Sequence, residues 1–247
     1  MDRLIYVAMA GAKHTLEQQA VVANNLANVS TTGFKAMLTA FRAAPVIGPG
    51  SPTRAFVADS TIGTDFTAGA LMETGRPLDI AVKGAGWIAV RAPDGKEAYT
   101  RDGGLQINAN GLLQTRSGLN VLGEAGPITI PPNNRAAVGD DGTVSIIPTD
   151  TIPNAVTIVG RIKLVNPPPA SLERSGDGLF RPANGRPVPA DPNVQVTSGA
   201  LEAGNVSASE MLVQMISQAR QFETQVKLLT MADTDAQRWS QVMNLSA

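Results

Sequence analysis

Two amphipathic patterns at opposite ends of the chain constrain its fold more than any other feature. From residue 208 to residue 243, positions recur in alternating steps of four and three, and most of them are apolar. This is the spacing of a helix that packs along one seam. A weaker stripe of the same kind runs from Leu4 to Val29. Because both ends carry a stripe, we expect them to pair with each other or with neighbouring copies of the chain.

The composition of the two stripes predicts how they pack. The N-terminal stripe is rich in small residues, which let several helices approach closely but stabilise a lone pair poorly. A large apolar side chain contributes about 1.5–3 kcal/mol when it is buried, and Ala or Gly contributes much less. Packing among several helices therefore suits the stripes better than a single pair. The predicted assembly interface comprises Leu4, Ala8, Gly11, Val22, Leu26, Val29, Leu212, Met215, Ala219, Phe222, Val226, Leu229 and Met243.

The middle of the chain has a period of two, which is typical of short strands with one buried face. The alternating segments are residues 78–82, 87–89, 105–107, 128–130 and 144–146. Turn sequences rich in Pro, Asp, Asn and Gly lie between them, at residues 93–95, 108–111 and 140–142. The sequence therefore predicts an α+β fold, with long N- and C-terminal helices forming a discontinuous coiled-coil domain around a central, mainly antiparallel β domain.

Changes in pattern predict the domain boundaries. The first helix is expected to end near Val29, before β-branched residues and Gly33. Three prolines and two glycines in residues 44–52 predict a linker without regular structure. Ser207 and Glu210 have the spacing of a capping box at the start of the last helix. The expected parts are a helix and turn (1–35), a linker and extended arm (36–75), a β domain (76–200) and a C-terminal helix (201–247).

Composition excludes several classes of function. The net charge of −1 provides no basic patch, so nucleic acid is not an expected partner. The chain has no cysteine, which excludes disulfides and thiolate chemistry. No apolar run reaches the roughly 18 residues that a membrane-spanning helix needs. The apolar start includes a cleavage-like Ala8-Met9-Ala10, but Asp2 and the uninterrupted helical pattern that follows argue against a signal peptide.

The residues that usually carry catalysis do not form a pattern here. His14 is the single histidine, which argues against a metal site or a catalytic triad and favours a surface or interface position. Residues 84–89 match a dinucleotide fingerprint, but a strand-like sequence follows where that site needs a helix. No carboxylate pair stands out for glycoside hydrolysis. We therefore expect no enzymatic activity, no cofactor and no metal.

Three blocks of the sequence resemble the bacterial flagellar rod and hook family. The first is residues 24–35 (NNLANVSTTGFK), and the third is residues 198–206. The second comprises residues 76–82, 86–87 and 99–103. Together they are highly specific, and the resemblance covers essentially the whole chain. The positions that match the family's N-terminal signature are Asn24, Asn25, Leu26, Ala27, Asn28, Gly33, Phe34 and Lys35.

Within this family the chain is most similar to the proximal rod members, on the basis of residues 40–46, 177–180 and 219–223. The distal rod members usually have an RAYE sequence in the last helix, and this chain has ARQFE there. Two alternatives stay open, a distal rod subunit and a cell-wall glycan-binding β module with oligomerising helical tails.

The resemblance implies a structural subunit of the flagellar basal body, located in the periplasmic rod. Such a subunit is exported through the flagellar type III apparatus without signal-peptide cleavage, and it polymerises helically with its own copies and with other rod proteins. It also implies that both terminal helices lie in an inner coiled-coil tube with the β domain outside. Packed helices would then transmit torque from motor to hook.

Overall fold

The computed structural model describes residues 2–45, 55–59, 63–148 and 156–244. The described residues contain two α-helices, one near each end, and short strands between them that pair antiparallel. The α+β class and the central antiparallel β domain are therefore confirmed. The chain divides into a helical unit, drawn from residues 1–29, 36–65 and 206–247, and a β unit, drawn from residues 30–35 and 66–205.

The helical unit combines both ends of the chain with the arm that follows the first helix. Its elements are α1 (Asp2–Ala27), β1 (Met37–Leu38), β2 (Phe41–Pro45), β3 (Ala55–Asp59), β4 (Gly63–Thr64) and α2 (Ala208–Asn244). The two helices pack against each other, β1 pairs with β4, and β2 pairs with β3.

Two sequence-based boundaries in the helical unit need correction. Helix α1 ends at Ala27, two residues before the predicted end. The predicted linker begins later than expected, because β2 extends through Pro45, and a proline is tolerated at the end of an edge strand. Residues 46–52 of that linker lie outside the described residues.

The β unit consists of short strands and a 3-10 helix (Pro169–Ser171). Its strands are β5 (Leu71–Glu73), β6 (Ile80–Lys83), β7 (Trp87–Arg91), β8 (Glu97–Thr100), β9 (Leu105–Ile107), β10 (Leu113–Thr115), β11 (Asn120–Gly123), β12 (Gly126–Pro127), β13 (Asn134–Val138), β14 (Thr143–Pro148), β15 (Thr157–Arg161), β16 (Leu164–Val165), β17 (Leu172–Arg174), β18 (Phe180–Pro182), β19 (Gln195–Ser198) and β20 (Ala200–Glu202).

Nine of the described strands form the main sheet of the β unit. Seven follow the order β17-β18-β8-β7-β11-β10-β9, with β12 paired to β11 and β16 paired to β7. A smaller sheet has the order β13-β14-β15. Strand β6 pairs with β19, and β5 pairs with β20. The last pair brings the segment before α2 beside the end of the N-terminal arm.

Strand β7 has apolar side chains on both faces and separates two buried clusters. Ile88 and Val90 belong to the larger cluster, while Trp87 and Ala89 belong to the smaller one. In the smaller cluster the Trp87 and Phe180 rings pack with their centroids 4.6 Å apart. The alternation predicted from sequence is thus confirmed at β7, although both faces are covered rather than one.

The predicted turns are also confirmed. The amide of Gly95 donates to the carbonyl of Ala92, and the amide of Gly111 donates to the carbonyl of Asn108, each at 2.9 Å. The glycine-rich residues 84–86 lead directly into β7, so a strand follows where a dinucleotide site needs a helix.

Two side chains on β9 test how burial stabilises the β unit. Leu105 is fully buried, whereas Ile107 is 37 % exposed. We expect Leu105→Ala to lower the free energy of unfolding by about 2–5 kcal/mol, because it leaves a cavity in the core. The matched variant Ile107→Ala should cost much less, and urea unfolding measures both. Equal losses would contradict this assignment of the core.

Candidate functional site

The two terminal helices approach each other closely at Gly11. A Cβ atom at Gly11 would lie 3.0 Å from the side-chain amide nitrogen of Gln225 in α2. One turn further along α1, the Thr15 hydroxyl donates to Gln225 Oε1 at 3.4 Å and to the Gly11 carbonyl at 3.0 Å. A small residue at position 11 therefore permits this approach. Gln225 is polar, so a search for apolar stripes does not find it.

The structure places the predicted interface residues in different surroundings. Ala8 and Val22 are buried within the helical unit. Leu212 and Val226 are exposed, and the side chains of Leu4 and Met243 lie outside the described residues. The remaining predicted residues are half-buried, namely Gly11, Leu26, Val29, Met215, Ala219, Phe222 and Leu229.

Helix α2 carries a second apolar surface that α1 does not cover. We call Leu212, Val213 and Ile216 the outer face of α2. Their exposed fractions range from 49 % at Leu212 to 67 % at Val213. At about 100° per residue these positions fall within an arc of about 100° on the helix. Large apolar side chains that share one exposed face are typical of an interaction surface.

His14 was expected at a surface or an interface, and its burial in the helical unit shows that the surface alternative was wrong. Its ring packs edge-on against the Phe41 ring at 5.7 Å, and its Nδ1 lies 3.1 Å from Glu17 Oε2. Phe41 belongs to β2 in the arm. The sequence did not predict that the arm packs on α1.

Asn25 of the family signature binds the backbone of the arm. Its side-chain amide donates to the Met37 carbonyl at 2.9 Å, and its Oδ1 accepts from the Met37 amide at 2.8 Å. The Asn25 side chain therefore pairs with Met37 as a strand neighbour would. Asn24 is exposed, and its backbone carbonyl accepts from Asn28 Nδ2 at 2.9 Å.

Three charged residues from distant parts of the chain meet in the β unit, and we call Lys35, Arg101 and Glu202 the junction cluster. Lys35 Nζ lies 2.6 Å from Glu202 Oε1, and Arg101 Nη1 lies 2.8 Å from Glu202 Oε2. The Lys35 and Glu202 side chains are each 1 % exposed. Arg101 also donates to the Gly84 carbonyl at 2.6 Å and packs over the Trp87 ring.

The junction cluster holds together three stretches of backbone, which we call the exit segments: residues 33–35, 67–69 and 202–205. The Gly33 amide donates to the Glu202 carbonyl at 2.7 Å. The Gly69 amide donates to Glu202 Oε1 at 3.0 Å, and Lys35 Nζ donates to the Thr67 carbonyl at 2.8 Å. Asn205 donates through its backbone amide to the Phe34 carbonyl at 3.2 Å. All three segments are thus bonded to one another.

The signature residues Gly33 and Phe34 are fitted closely into this junction. Gly33 has a positive φ of 66°, and a Cβ atom there would lie 2.3 Å from the Arg101 carbonyl carbon. The Arg174 guanidinium lies 4.6 Å from the centre of the Phe34 ring, and it donates to the Lys35 carbonyl at 2.6 Å. Burial lowers the pKa of Arg174. The signature therefore encodes a docking turn.

Two opposing effects act on the pKa of Glu202. Burial alone raises it, because the charged form loses its hydration. Hydrogen bonds from Lys35 Nζ and the Gly69 amide, together with the charges of Arg101 and Lys35, outweigh burial and lower the pKa below its ordinary value of 4.5. Glu202 is therefore ionised at neutral pH and acts as a hydrogen-bond acceptor.

The described part of the chain contains no group of three or more His, Cys, Asp or Glu residues placed to hold a metal ion. It also contains no helix that is long and apolar enough to cross a membrane. The contacts described for these residues are structural: α1 packs against α2, and the junction cluster bonds the three exit segments together.

Three family models match the chain, one at each end and one in the middle. A model described as "Flagella basal body rod protein" matches residues 5–35, and the C-terminal model of the FlgEFG rod proteins matches residues 197–242. The D1 domain model of the flagellar hook protein FlgE/F/G matches residues 81–146. The flagellar basal-body rod protein FlgF of Salmonella typhimurium is 45 % identical over 100 % of both chains. The chain belongs to the flagellar basal-body rod protein family.

Other members of the family show the same relationship. FlgF of Escherichia coli K12 is 44 % identical over 100 % of both chains. FlgG of Buchnera aphidicola from Schizaphis graminum is 34 % identical over 90 % of this chain and 92 % of its own. The resemblance predicted from the three sequence blocks is confirmed, including its similarity to FlgF.

The three sequence blocks that carry the family resemblance converge on the junction cluster, each supplying one of its residues. Lys35 closes the first block, Arg101 lies in the second and Glu202 lies in the third. The family resemblance includes all three residues but assigns them no role. No local signal marks Glu202 as buried, because neighbours along a strand face opposite sides and an inward Leu201 would predict an outward Glu202.

Replacing Gly33 tests how tightly the signature turn fits the family's β unit. Gly33→Ala should lower the free energy of unfolding through two effects, a left-handed backbone cost of about 1–2 kcal/mol and a steric cost of about 1–3 kcal/mol. Gly95→Ala is the matched control, because Gly95 also has positive φ but has open space around its Cβ position. Urea unfolding should show the larger loss for Gly33→Ala, and equal losses would contradict close docking.

The lowered pKa of Glu202 predicts a pH dependence of stability. A carboxylate with a depressed folded-state pKa stabilises the fold above its unfolded-state pKa, and this contribution is lost as pH falls through the folded-state value. The difference in unfolding free energy between the natural chain and Glu202→Gln should therefore be largest near pH 7 and should shrink below about pH 4. Urea titrations across this range measure it, and a constant difference would contradict an ionised Glu202.

Proposed function

We propose that the chain is a structural subunit of the proximal part of the bacterial flagellar rod. In this proposal it polymerises helically in the periplasm with its own copies and with other rod proteins. The full-length identity to the FlgF relatives supports the proximal position over the distal one, because the family resemblance associates FlgF with the proximal rod. The observation that carries the assembly role is the outer face of α2, which stays exposed after α1 and α2 have packed together.

Burial of the outer face of α2 would favour association of the helix pair with a neighbouring subunit. Each of its large side chains contributes about 1.5–3 kcal/mol if a neighbouring subunit removes it from water. If the surface that receives this face is a different one, the contact is head-to-tail, and repeating it generates an open helical polymer when the rotation between subunits does not close a ring. We further propose that both terminal helices line a coiled-coil inner tube, as the family resemblance implies.

The mechanism in this proposal is mechanical. Helices that pack with neighbours on two sides resist sliding and bending, so rotation applied at one end of the polymer reaches the other end. No covalent bond is made or broken, and the chain acts without a cofactor or metal. We further propose that it travels through the flagellar type III export apparatus with its N-terminus intact, as the family resemblance implies.

A variant on the outer face separates assembly from folding. Ile216 is 56 % exposed, so Ile216→Glu should leave the isolated chain folded with an unchanged midpoint in urea. In cells the same change should abolish incorporation into the rod and stop swimming, because it places a charge in the proposed contact. Phe222 and Leu229 are less suitable, since both are half-buried and their replacement would also disturb the helical unit.

Gln221→Glu provides the control, because Gln221 is exposed but lies outside the outer face. This variant should assemble and swim normally. Normal swimming with Ile216→Glu would refute the assembly role of the outer face, and failure of both variants would point to a general effect of added negative charge on α2.

A further inference from the structure

The chain passes between its two units at four peptide bonds. These follow Val29, Lys35, Asp65 and Asn205, where the division into compact units changes. In the β unit, two of these crossings lie at either end of residues 30–35, and the others adjoin Phe66 and Asn205. These four peptide bonds are the covalent connections between the two units.

The exit segments lie at or near three of these crossings, those after Lys35, Asp65 and Asn205, and hydrogen bonds in the β unit join them into one body. The Gly33 amide binds the Glu202 carbonyl, and the Asn205 amide binds the Phe34 carbonyl. The Asn205 side chain donates to the Thr67 carbonyl at 3.2 Å and to the Thr67 hydroxyl at 3.1 Å. Each segment is therefore linked to both of the others by hydrogen bonds.

Glu202 is the residue that connects the most parts of this body. Its Oε1 accepts from Lys35 in the first exit segment and from the Gly69 amide in the second, while it belongs itself to the third. Its Oε2 accepts from Arg101, which is anchored to the β unit through the Gly84 carbonyl. The buried carboxylate of Glu202 thus joins the three exit segments to Arg101, which follows strand β8.

We propose that Glu202 is a positioning residue that locks the exit segments together, so that torque enters the β unit through one fixed body. This inference rests on the proposed rod function. Without the carboxylate of Glu202, Lys35 loses its charged partner and the Gly69 amide loses its acceptor, so the exit segments shift against one another under load. Glu202 contacts no partner in this role and acts through Lys35, Gly69 and Arg101.

The test uses the full-length chain with Glu202→Gln, which keeps the size of the side chain but removes its charge. Removing the charge of one partner in a buried ion pair is strongly destabilising, so backbone amides of the exit segments should exchange with solvent on the order of 100-fold faster. Core strands β7 and β11 should keep their protection, which shows that the β unit remains folded. Unchanged exchange in residues 33–35, 67–69 and 203–205 would overturn the inference.

Asp79→Asn is the matched control, because Asp79 is a fully buried carboxylate bound by two arginines in the same unit. Its oxygens lie 3.1 Å from Arg116 Nη2 and 3.3 Å from Arg76 Nη1, and its side chain bonds none of the exit segments. Exchange in the exit segments should stay at the natural rate in this variant. Acceleration equal to that of Glu202→Gln would mean that any lost buried charge loosens them, which would overturn the specific role of Glu202.

Swimming under load tests the mechanical part. Cells with Glu202→Gln should contain the chain in their rods and swim normally in dilute medium, but they should lose speed in viscous medium more than cells with Asp79→Asn. Equal speeds at high load, with the variant present in the rod, would overturn this inference alone. Absence of the natural chain from purified rods would instead overturn the proposed function, whatever the exchange rates show.

Discussion

Glu202 is a buried carboxylate on which the organisation of the β unit depends. It accepts from Lys35, 167 residues earlier in the chain, and from Arg101 in the middle. Taking these charges out of water is costly, and good geometry with additional hydrogen bonds is needed to offset that cost. The backbone amide of Gly69 supplies part of this support, because it donates to Glu202 Oε1 at 3.0 Å. The Gly33 amide adds a bond to the backbone carbonyl of Glu202. Ion pairs and hydrogen bonds of Glu202, as well as packing, therefore fix where the N-terminal turn meets the last strand.

The helices and the strands β6, β7, β9 and β14 could be predicted because they depend on local periodicity. The strand predicted at residues 128–130 was wrong, since that segment contains only an isolated bridge at Thr129. The alternation of Trp87 and Ala89 and the turn at Gly95 were found in this way. The junction cluster could not be found by periodicity, since pairing of Lys35 with Glu202 depends on the fold of everything between them. The family resemblance identified the right blocks without showing that they meet.

The seam of α2 shows a different limit of sequence reasoning. Near its start, α2 has the apolar outer face in addition to the side that packs against α1. One stripe of alternating spacing therefore mixes residues that face α1 with residues that face solvent. Phe222 and Leu229 are half-buried, whereas Leu212 and Val226, from the same predicted stripe, are exposed. The arrangement fits a helix that packs within its own chain on one side and, as proposed, against another subunit on the other. In the isolated chain the outer face stays exposed to solvent.

The most direct test of the assembly role is the accessibility of the outer face in isolated basal bodies. The chain has no cysteine, so Ile216→Cys introduces a single thiol. A water-soluble maleimide should label this thiol rapidly in the purified monomer and only slowly in basal bodies, where a neighbouring rod subunit covers position 216. Equal labelling of the thiol in monomer and basal body would contradict the assembly role of the outer face.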